Sequence, residues 1–277
     1  MNQLKRHLKE FIPPAFFRTR EYLREGSFFG FSGDYPTWEA AVKVSTGWDS
    51  DTVFDRVREA ALKVKQGEAV YERDSVLFDQ VHYSWPLLSG LLRTALAHGG
   101  KLHVLDFGGG LGSSYYQNRQ MLKPVSDLQW CIVEQGKFVE IGQAEFQDHE
   151  LKFFATVEEC LDQIPSIHVL LLSGVLQALE SPHEFLEKFV SLGIQTILID
   201  RTSFVLSDRT DRIVIQTVPP SIYPRTSFPA WFFNRETFLS HFAGKYQLVA
   251  EFDTPDSAAV IHDGIHRGLI FERLTEC

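Results

Sequence analysis

The chain has 277 residues, of which 44% are hydrophobic and 23% charged, a composition typical of a folded globular protein rather than a disordered or fibrous one. Its formal net charge of −9 disfavours a nucleic-acid partner, because proteins that hold phosphate backbones usually gather a basic surface. Three cysteines without CxxC spacing indicate a reducing compartment, and no apolar run reaches the ~18–20 residues of a membrane span. We therefore expect a cytoplasmic protein.

The first 25 residues form a basic segment, with six lysines and arginines against three glutamates. Leu4, Leu8, Phe11 and Ile12 fall at the spacing of one helical face. Two interpretations are open. The segment is either a helix that packs on the domain, or a basic amphipathic helix that lies on the inner face of a membrane.

The region up to residue 98 is expected to be mainly helical. A loop rich in glycine and aromatic residues, 26–48, is predicted to contain a short helix around 38–44. Residues 51–66 show the apolar periodicity of an amphipathic helix. Residues 76–98 predict two helices that are bent or broken at Pro86.

From residue 99 onward, apolar strands alternate with helices, which implies a mostly parallel sheet covered on both faces. The predicted strands cover 102–107, 128–133, 151–154, 169–172 and 196–199. Two later segments, 246–252 and 268–273, predict an antiparallel hairpin at the edge of the sheet, after an insertion at about 203–235. We expect an α/β, Rossmann-like domain over 99–277, preceded by a helical extension or cap over 1–98.

A glycine-rich turn, Val104–Ser114, directly follows the first of these strands and begins a helix. Glycines let the backbone turn sharply and approach a ligand, and the helix start offers unpaired N–H groups. The dinucleotide fingerprint G-x-G-x-x-G/A fits Gly108 and Gly110 but has Ser113 in its third place.

The turn fits a second pattern, D-x-G-x-G-x-G, at every position through Asp106, Gly108, Gly110 and Gly112. This pattern resembles motif I of the class I S-adenosylmethionine-dependent methyltransferases. The resemblance implies S-adenosyl-L-methionine as the cofactor. It also implies that Asp106 and the glycine backbone, Gly109 included, hold the methionine part of that cofactor.

Two further residues carry the resemblance beyond the turn. Glu134 ends the second predicted strand and matches the acid that accepts hydrogen bonds from the ribose hydroxyls, although dinucleotide-binding folds use an acid there as well. Ser173 ends the fourth predicted strand and is expected to line the cofactor site. The antiparallel last strand is typical of class I methyltransferases.

The resemblance extends over nearly the whole chain to a family of uncharacterised bacterial methyltransferases, often encoded among genes for surface polysaccharide synthesis. It implies a glycan or a glycan precursor as the methyl acceptor, without identifying the catalytic residues. The segments that carry it are Glu72–Phe78, Ser84–Leu88, Leu105–Tyr116, Ile199–Thr202 and Val218–Tyr223.

Two residues are candidates for the base that takes a proton from the acceptor. Asp200 ends the fifth predicted strand, and His82 precedes the first strand in a region that often folds over the cofactor. Each has a structural alternative, Asp200 as an ion-pair partner and His82 as an ordinary packed histidine.

Four residues are candidate acceptor contacts because they offer aromatic faces or a charge near the strand ends. These residues are Tyr83, Arg201, Tyr223 and Trp231. No Asn/Asp-Pro-Pro-Tyr/Phe sequence follows the fourth strand, which disfavours methylation of an exocyclic amine. The segment His262–His266 could suggest a metal through its two histidines, but no third ligand is apparent. Asp263-Gly264 is a turn signal, so we expect no metal site.

The sequence therefore predicts an S-adenosylmethionine-dependent methyltransferase that transfers the methyl group to a sugar oxygen of a surface polysaccharide or its precursor. Two alternatives remain open at this point. One is an inactive methyltransferase-like scaffold that binds a glycan enzyme or a membrane, and the other is a nucleotide-dependent oxidoreductase. The oligomeric state is not indicated by any pattern in the sequence.

Overall fold

The structure is a computed structural model that describes residues 30–47, 51–207, 210–220, 222–223, 226–254 and 264–274. The basic segment 1–25, with its predicted packing or membrane contact, lies outside the described residues. So do His262 and Asp263. None of the helices in the described part is long and apolar enough to cross a membrane.

Eight helices and twelve strands make up the described part of the chain. The helices are α1 (Trp38–Val42), α2 (Asp51–Gln66), α3 (Trp85–Ala97), α4 (Ser113–Leu122), α5 (Gly136–Ile141, continued by a π-helical turn Gly142–Phe146), α6 (Val157–Gln163), α7 (Pro182–Ser191) and α8 (Arg235–Ser240). The strands are β1 (Gly30–Tyr35), β2 (Tyr71–Arg73), β3 (Val76–Phe78), β4 (Lys101–Phe107), β5 (Asp127–Val133), β6 (Leu151–Phe154), β7 (Val169–Ser173), β8 (Thr196–Val205), β9 (Arg212–Thr217), β10 (Ser227–Phe232), β11 (Tyr246–Asp253) and β12 (Gly264–Arg273).

The central sheet has seven strands in the order β11-β12-β8-β7-β4-β5-β6. Strands β4 to β8 are parallel, and β12 runs antiparallel between β8 and β11. The strand order reverses beside β4, where the chain passes from β6 back across to β7. This arrangement confirms the predicted α/β fold, that of a class I methyltransferase with an antiparallel hairpin at its carboxyl end.

Each face of the sheet buries its own apolar layer, as the near-continuous apolar runs of the parallel strands require. On one face, Trp130, Leu102 and Val104 pack with residues from α3 and α4. On the other face, Leu170 and Leu172 pack with residues from α6, α7 and α8. Both layers hold the carboxyl ends of the strands in place at one edge, where the site lies.

The region before residue 99 is less helical than expected. Residues 30–35, predicted as part of a loop, form β1, and residues 76–78 form β3 rather than a helix. A single helix, α3, begins at Trp85 with Pro86 in its first turn, where a missing N–H costs nothing. The expectation of two helices broken at Pro86 was therefore wrong, because the proline begins a helix rather than interrupting one.

The insertion after β8 forms a second sheet with the amino-terminal region. Strands β9 and β10 pair antiparallel, and β1 pairs with the other edge of β9. Contacts between residues about 180 positions apart therefore join the extension before residue 99 to the insertion after residue 203. This second sheet contacts the segment after β7, where the indole N–H of Trp231 donates a hydrogen bond to the carbonyl of Leu179.

Candidate cofactor and acceptor site

A cavity of about 470 Å³ opens at the carboxyl ends of β4, β5, β7 and β8. This size lies within the ~300–1,000 Å³ of small-molecule sites, and its position beside the strand-order reversal is where α/β sheets bind ligands. Its polar and charged lining residues are Glu72, Arg73, Asp74, Asp106, Ser113, Ser114, Glu134, Gln135, Lys137, Ser173, Arg201 and Tyr223.

The glycine turn after β4 lines this cavity and needs its glycines for two different reasons. Gly108 and Gly110 have φ values of +73° and +58°, in the left-handed region that other residues rarely adopt. A Cβ on Gly108 would lie 2.4 Å from Cγ2 of Val175, whereas a Cβ on Gly110 would meet nothing within 4 Å. Gly108 therefore allows close packing of the loop after β7, and Gly110 keeps the cavity open.

Asp106 is the second-last residue of β4, just before the turn, and is only 1% exposed. Its Oδ2 accepts a hydrogen bond of 2.9 Å from the indole N–H of Trp130, while Oδ1 has no hydrogen-bond partner among the described residues. Burial raises the pKa of Asp106 to about 7, against the lowering effect of the Trp130 hydrogen bond. A buried oxygen in a cavity wall that lacks a hydrogen-bond partner is expected of a group that accepts a hydrogen bond from a bound ligand.

Glu134 is the first residue after β5, the strand beside β4, and it also lines the cavity. Its Oε2 accepts a hydrogen bond of 2.6 Å from the backbone N–H of Gln135. Burial raises the pKa of this carboxyl above its ordinary value, partly offset by hydrogen bonds from the backbone of Gln135 and Gly110. The carboxylate is thus held in a fixed position at the strand end, ready to accept further donors.

A short hairpin, β2 and β3, brings an acid that the sequence did not single out. Glu72 is 3% exposed, lines the cavity and accepts hydrogen bonds from the Ser113 hydroxyl and from the Ser75 backbone N–H. Ser113 is the first residue of α4, so the carboxylate lies at the amino end of that helix. Burial raises the pKa of Glu72 to about 7, with the Ser113 hydroxyl lowering it in part.

Arg201, from β8, also lines the cavity and has an unusual backbone conformation. Its φ of +53° is left-handed, which costs a non-glycine residue ~1–3 kcal/mol. The conformation belongs to a bulge, because Ile199 pairs with Leu269 and Thr202 with Arg267, leaving two residues of β8 opposite one of β12. Such a bulge redirects the side chains at the end of a strand.

The guanidinium of Arg201 lies between Ser173, at the end of β7, and Asp74, on the β2–β3 hairpin. Its Nε is 3.4 Å from the Ser173 hydroxyl oxygen, and its Nη1 is 3.4 Å from Oδ2 of Asp74 at the tip of the β2–β3 hairpin. Tyr223, from the insertion, donates a hydrogen bond of 2.9 Å to the backbone carbonyl of Asp74. Hairpin, insertion and strand ends therefore meet around this one arginine.

The structure brings most of the predicted site residues together. Eight of them lie in or directly beside the cavity wall: Asp106, Gly108, Gly109, Gly110, Glu134, Ser173, Arg201 and Tyr223. Gly112 is not in the wall, and its φ of +100° instead forms the cap of α4. The predicted glycines thus divide between the cavity wall and the start of α4.

Four other predicted residues do not line the cavity. The His82 ring lies against Phe78, and Asp200 is 4% exposed within β8. Tyr83 stacks on Trp85, and Trp231 donates its indole N–H to the carbonyl of Leu179 and stacks on Trp38. The roles predicted for them as base or acceptor contact stay predictions that the cavity wall does not support.

Among the residues that the structure describes, no group of three or more His, Cys, Asp and Glu could hold a metal ion. His266 is 7% exposed and packs near the rings of Phe31 and Phe232. Its sequence neighbours His262 and Asp263 lie outside the described residues.

No protein-family model matches the chain, and neither does any curated protein. Solved structures do match it at low identity. The N-terminal domain of EvdMO1, crystallised in the presence of SAH and D-fucose, is 14% identical, with a TM-score of 0.47, over 81% of this chain and 100% of that one.

Two other matches are described as methyltransferases. Magnesium protoporphyrin IX methyltransferase from Synechocystis PCC 6803, with bound SAM, is 13% identical, with a TM-score of 0.46, over 84% of this chain and 97% of that one. An S-adenosylmethionine-dependent methyltransferase from Clostridium acetobutylicum is 8% identical, with a TM-score of 0.43, over 69% and 92% of the two chains.

Proposed function

We propose that the chain is an S-adenosylmethionine-dependent methyltransferase that acts on a hydroxyl oxygen of a sugar. The observation that carries this proposal is the cavity wall at the carboxyl edge of the sheet. There the glycine turn, the orphaned carboxylate oxygen of Asp106 and the fixed carboxylate of Glu134 line one cavity. These groups offer hydrogen-bond acceptors, which suit a ligand with an ammonium group, ribose hydroxyls and a sulfonium.

The residues divide the binding task between them. Asp106 and the backbone of Gly108–Gly110 would hold the methionine part, because an orphaned carboxylate oxygen and an open glycine surface lie together there. Glu134, after the neighbouring strand, would accept hydrogen bonds from the ribose hydroxyls. When bound, the cofactor would supply a methyl group activated by its sulfonium, whose sulfur leaves as a neutral thioether.

The protein's own contribution is alignment and exclusion of water. Holding two reactants in line can supply roughly 7–11 kcal/mol of a barrier. The hairpin tip at Asp74 and the insertion residue Tyr223, joined by a hydrogen bond, form one part of the cavity wall, which we call the cover. An acceptor placed between Ser173 and this cover would be positioned by groups from three separate parts of the chain.

A sugar acceptor is supported by the polar character of this part of the cavity and by the family that the sequence resembles. Arg201, Asp74, Ser173 and Tyr223 offer donors and acceptors for hydroxyl groups. The oxygen atom is favoured over nitrogen because the loop after β7 reads Ser173-Gly174-Val175-Leu176, without the sequence that N-methyltransferases of exocyclic amines carry.

The proposal is tested by following a tritium-labelled methyl group from S-adenosylmethionine onto a panel of monosaccharides and nucleotide sugars. We expect label in a methyl ether on one class of sugar, and loss of transfer in Glu134→Ala. The matched control is Glu140→Ala, an exposed acid of α5 outside the cavity wall. Transfer to an amine or a carboxylate would overturn the assignment to a hydroxyl.

A further inference from the structure

We propose that Arg201 binds an anionic group, a carboxylate or a phosphate, of the sugar that receives the methyl group. This inference rests on the proposed methyltransferase function and deepens it by assigning a charge to the acceptor. Three independent features of the structure support it: the place of Arg201 in the sheet, its built-in backbone geometry and the acid that faces it.

The first feature is position. The glycine turn follows β4 and Glu134 follows β5, so the proposed cofactor groups lie on the β4–β5 side of the cavity. Arg201 lies on the other side, since β8 is separated from β4 by β7. Its Nε is 3.4 Å from the hydroxyl oxygen of Ser173 at the end of β7. The arginine thus lies three strands along from β5, whose end carries the proposed ribose contact Glu134, so an acceptor rather than the ribose would meet it.

The second feature is the strained backbone conformation in which Arg201 is held. Arg201 has a left-handed φ of +53° within the β8 bulge, and its backbone carbonyl accepts a hydrogen bond of 3.0 Å from the side chain of Gln177. A strained, non-glycine residue that is held by its surroundings is characteristic of binding sites. Its guanidinium is a planar fork that matches carboxylate and phosphate oxygens in pairs.

The third feature is the acid on the hairpin tip. Oδ2 of Asp74 is 3.4 Å from Nη1 of Arg201, longer than the ~2.7–2.9 Å of a close charged hydrogen bond. The Asp74 side chain is 62% exposed, so it exchanges this contact for water at little cost. Tyr223 meanwhile holds the backbone of the tip in place. The Asp74 carboxylate therefore occupies the place that an acceptor's anion would take.

The charges in the cavity agree with this division. Asp106 and Glu72 lie against the glycine turn and the start of α4, where a cationic cofactor is proposed. Burial raises the pKa of both acids, and Arg201, which reaches the same cavity from β8, is near enough to lower it in part. A positively charged cofactor and a negatively charged acceptor would then each meet the opposite charge, and the two ligands would attract one another across the reacting atoms.

The test measures binding of two sugars that differ only at C6, D-glucuronate with a carboxylate and D-glucose with a hydroxymethyl group, by calorimetry in the presence of saturating SAH. For the wild type we expect glucuronate to bind at least about tenfold more tightly than glucose, the scale of one charged hydrogen-bonded contact. In Arg201→Gln this preference should fall below threefold. In Asp74→Asn, which removes the competing carboxylate, glucuronate should bind more tightly than in the wild type.

Opposite effects of the two variants are the signature of the proposal, because a general loss of structure would weaken both. If the wild type prefers neither glucuronate nor glucose 6-phosphate over glucose, the inference is overturned. It is also overturned if Arg201→Gln weakens SAH while leaving 5′-methylthioadenosine, which lacks the amino-acid part, unaffected. Arg201 would then hold the cofactor's own carboxylate. Failure of the wild type to bind SAH would instead defeat the proposed function.

Discussion

Two buried carboxyl groups, Asp106 and Glu72, set the electrostatics of the cavity. Each has a pKa of about 7, raised chiefly by burial. An acid whose pKa is higher in the folded chain binds its proton more tightly when folded. The free energy of unfolding therefore falls as pH rises from about 4, the unfolded value, towards 7. A cationic ligand would reverse this effect by favouring the ionised forms.

We predict that Asp106→Asn makes the free protein more stable at pH 8 than the wild type, by ~2–6 °C in Tm, with a smaller gain at pH 5. The same change should weaken S-adenosylmethionine at least about tenfold at pH 8, because an amide does not balance a positive charge. Thermal unfolding at both pH values and calorimetry would measure the two effects. An equal gain in Tm at pH 5 and pH 8 would contradict the raised pKa.

The glycine turn offers a matched pair of substitutions. Gly108→Ala combines a left-handed φ with a clash against Val175, so we expect a loss of about 2–4 kcal/mol in the free energy of unfolding. Gly110→Ala has the same backbone problem without a clash, so it should cost about 1 kcal/mol but place a methyl group in the cavity. Urea denaturation and SAH titration would separate the two effects, and equal stability losses would refute the packing argument.

The sequence predicted the individual site residues that lie in one continuous motif. Asp106 and the glycines were found because spacing along a strand and turn determines where they point. Glu72 was missed because its burial depends on a hairpin packing onto α4. The polar turn Arg73-Asp74-Ser75 between short apolar segments was the signal that could have revealed it.

Among the elements, the parallel strands of the central sheet were predictable and the strands before residue 99 were not. Strands β4 to β8 are apolar runs that only a covered parallel sheet accommodates. Strand β1 reads G-F-S-G-D-Y, with two glycines, and it is a strand because β9 lies beside it. Pairing between such distant segments leaves no local periodicity for a sequence to show.

The amino ends of β4 and β7 hold a stack of histidines with a pH effect opposite to that of the acids. The His168 ring lies between those of His98 and His103, at centroid distances of 4.0 and 4.7 Å. Burial and these two neighbours lower the pKa of His168 to about 4. A histidine with a lowered folded pKa resists protonation, so stability is lost as pH falls from about 6.5 towards 4.

We therefore predict that His168→Asn loses less stability than the wild type between pH 7 and pH 4.5. The asparagine oxygen can replace Nδ1, which accepts a hydrogen bond from the backbone N–H of His103. Urea denaturation across this range is the measurement, with His149→Asn, whose side chain is 86% exposed, as the control. Parallel pH profiles for all three proteins would show that the histidine stack carries no such effect.

On the scale of the whole molecule, the carboxyl edge of the central sheet collects groups from three distant parts of the chain. The strand ends give Asp106, Glu134 and Arg201, the hairpin gives Asp74, and the insertion gives Tyr223. The sequence located the first set, because strand ends in a parallel sheet share an edge. It offered His82 and Asp200 as candidate bases, and neither lies in the cavity wall. The place of His82 was not predictable, because residues 76–78 were expected to be helical and instead form β3.

The most direct test of the central claim is calorimetric titration of the purified protein with SAH, compared with NAD⁺. We predict one SAH per chain and no binding of NAD⁺. In Glu134→Ala the affinity for SAH should fall at least about tenfold, because hydrogen bonds to a charged group are worth ~1.5–3 kcal/mol each, while Glu140→Ala should match the wild type. Binding of NAD⁺ in place of SAH, or unchanged SAH affinity in Glu134→Ala, would contradict the account.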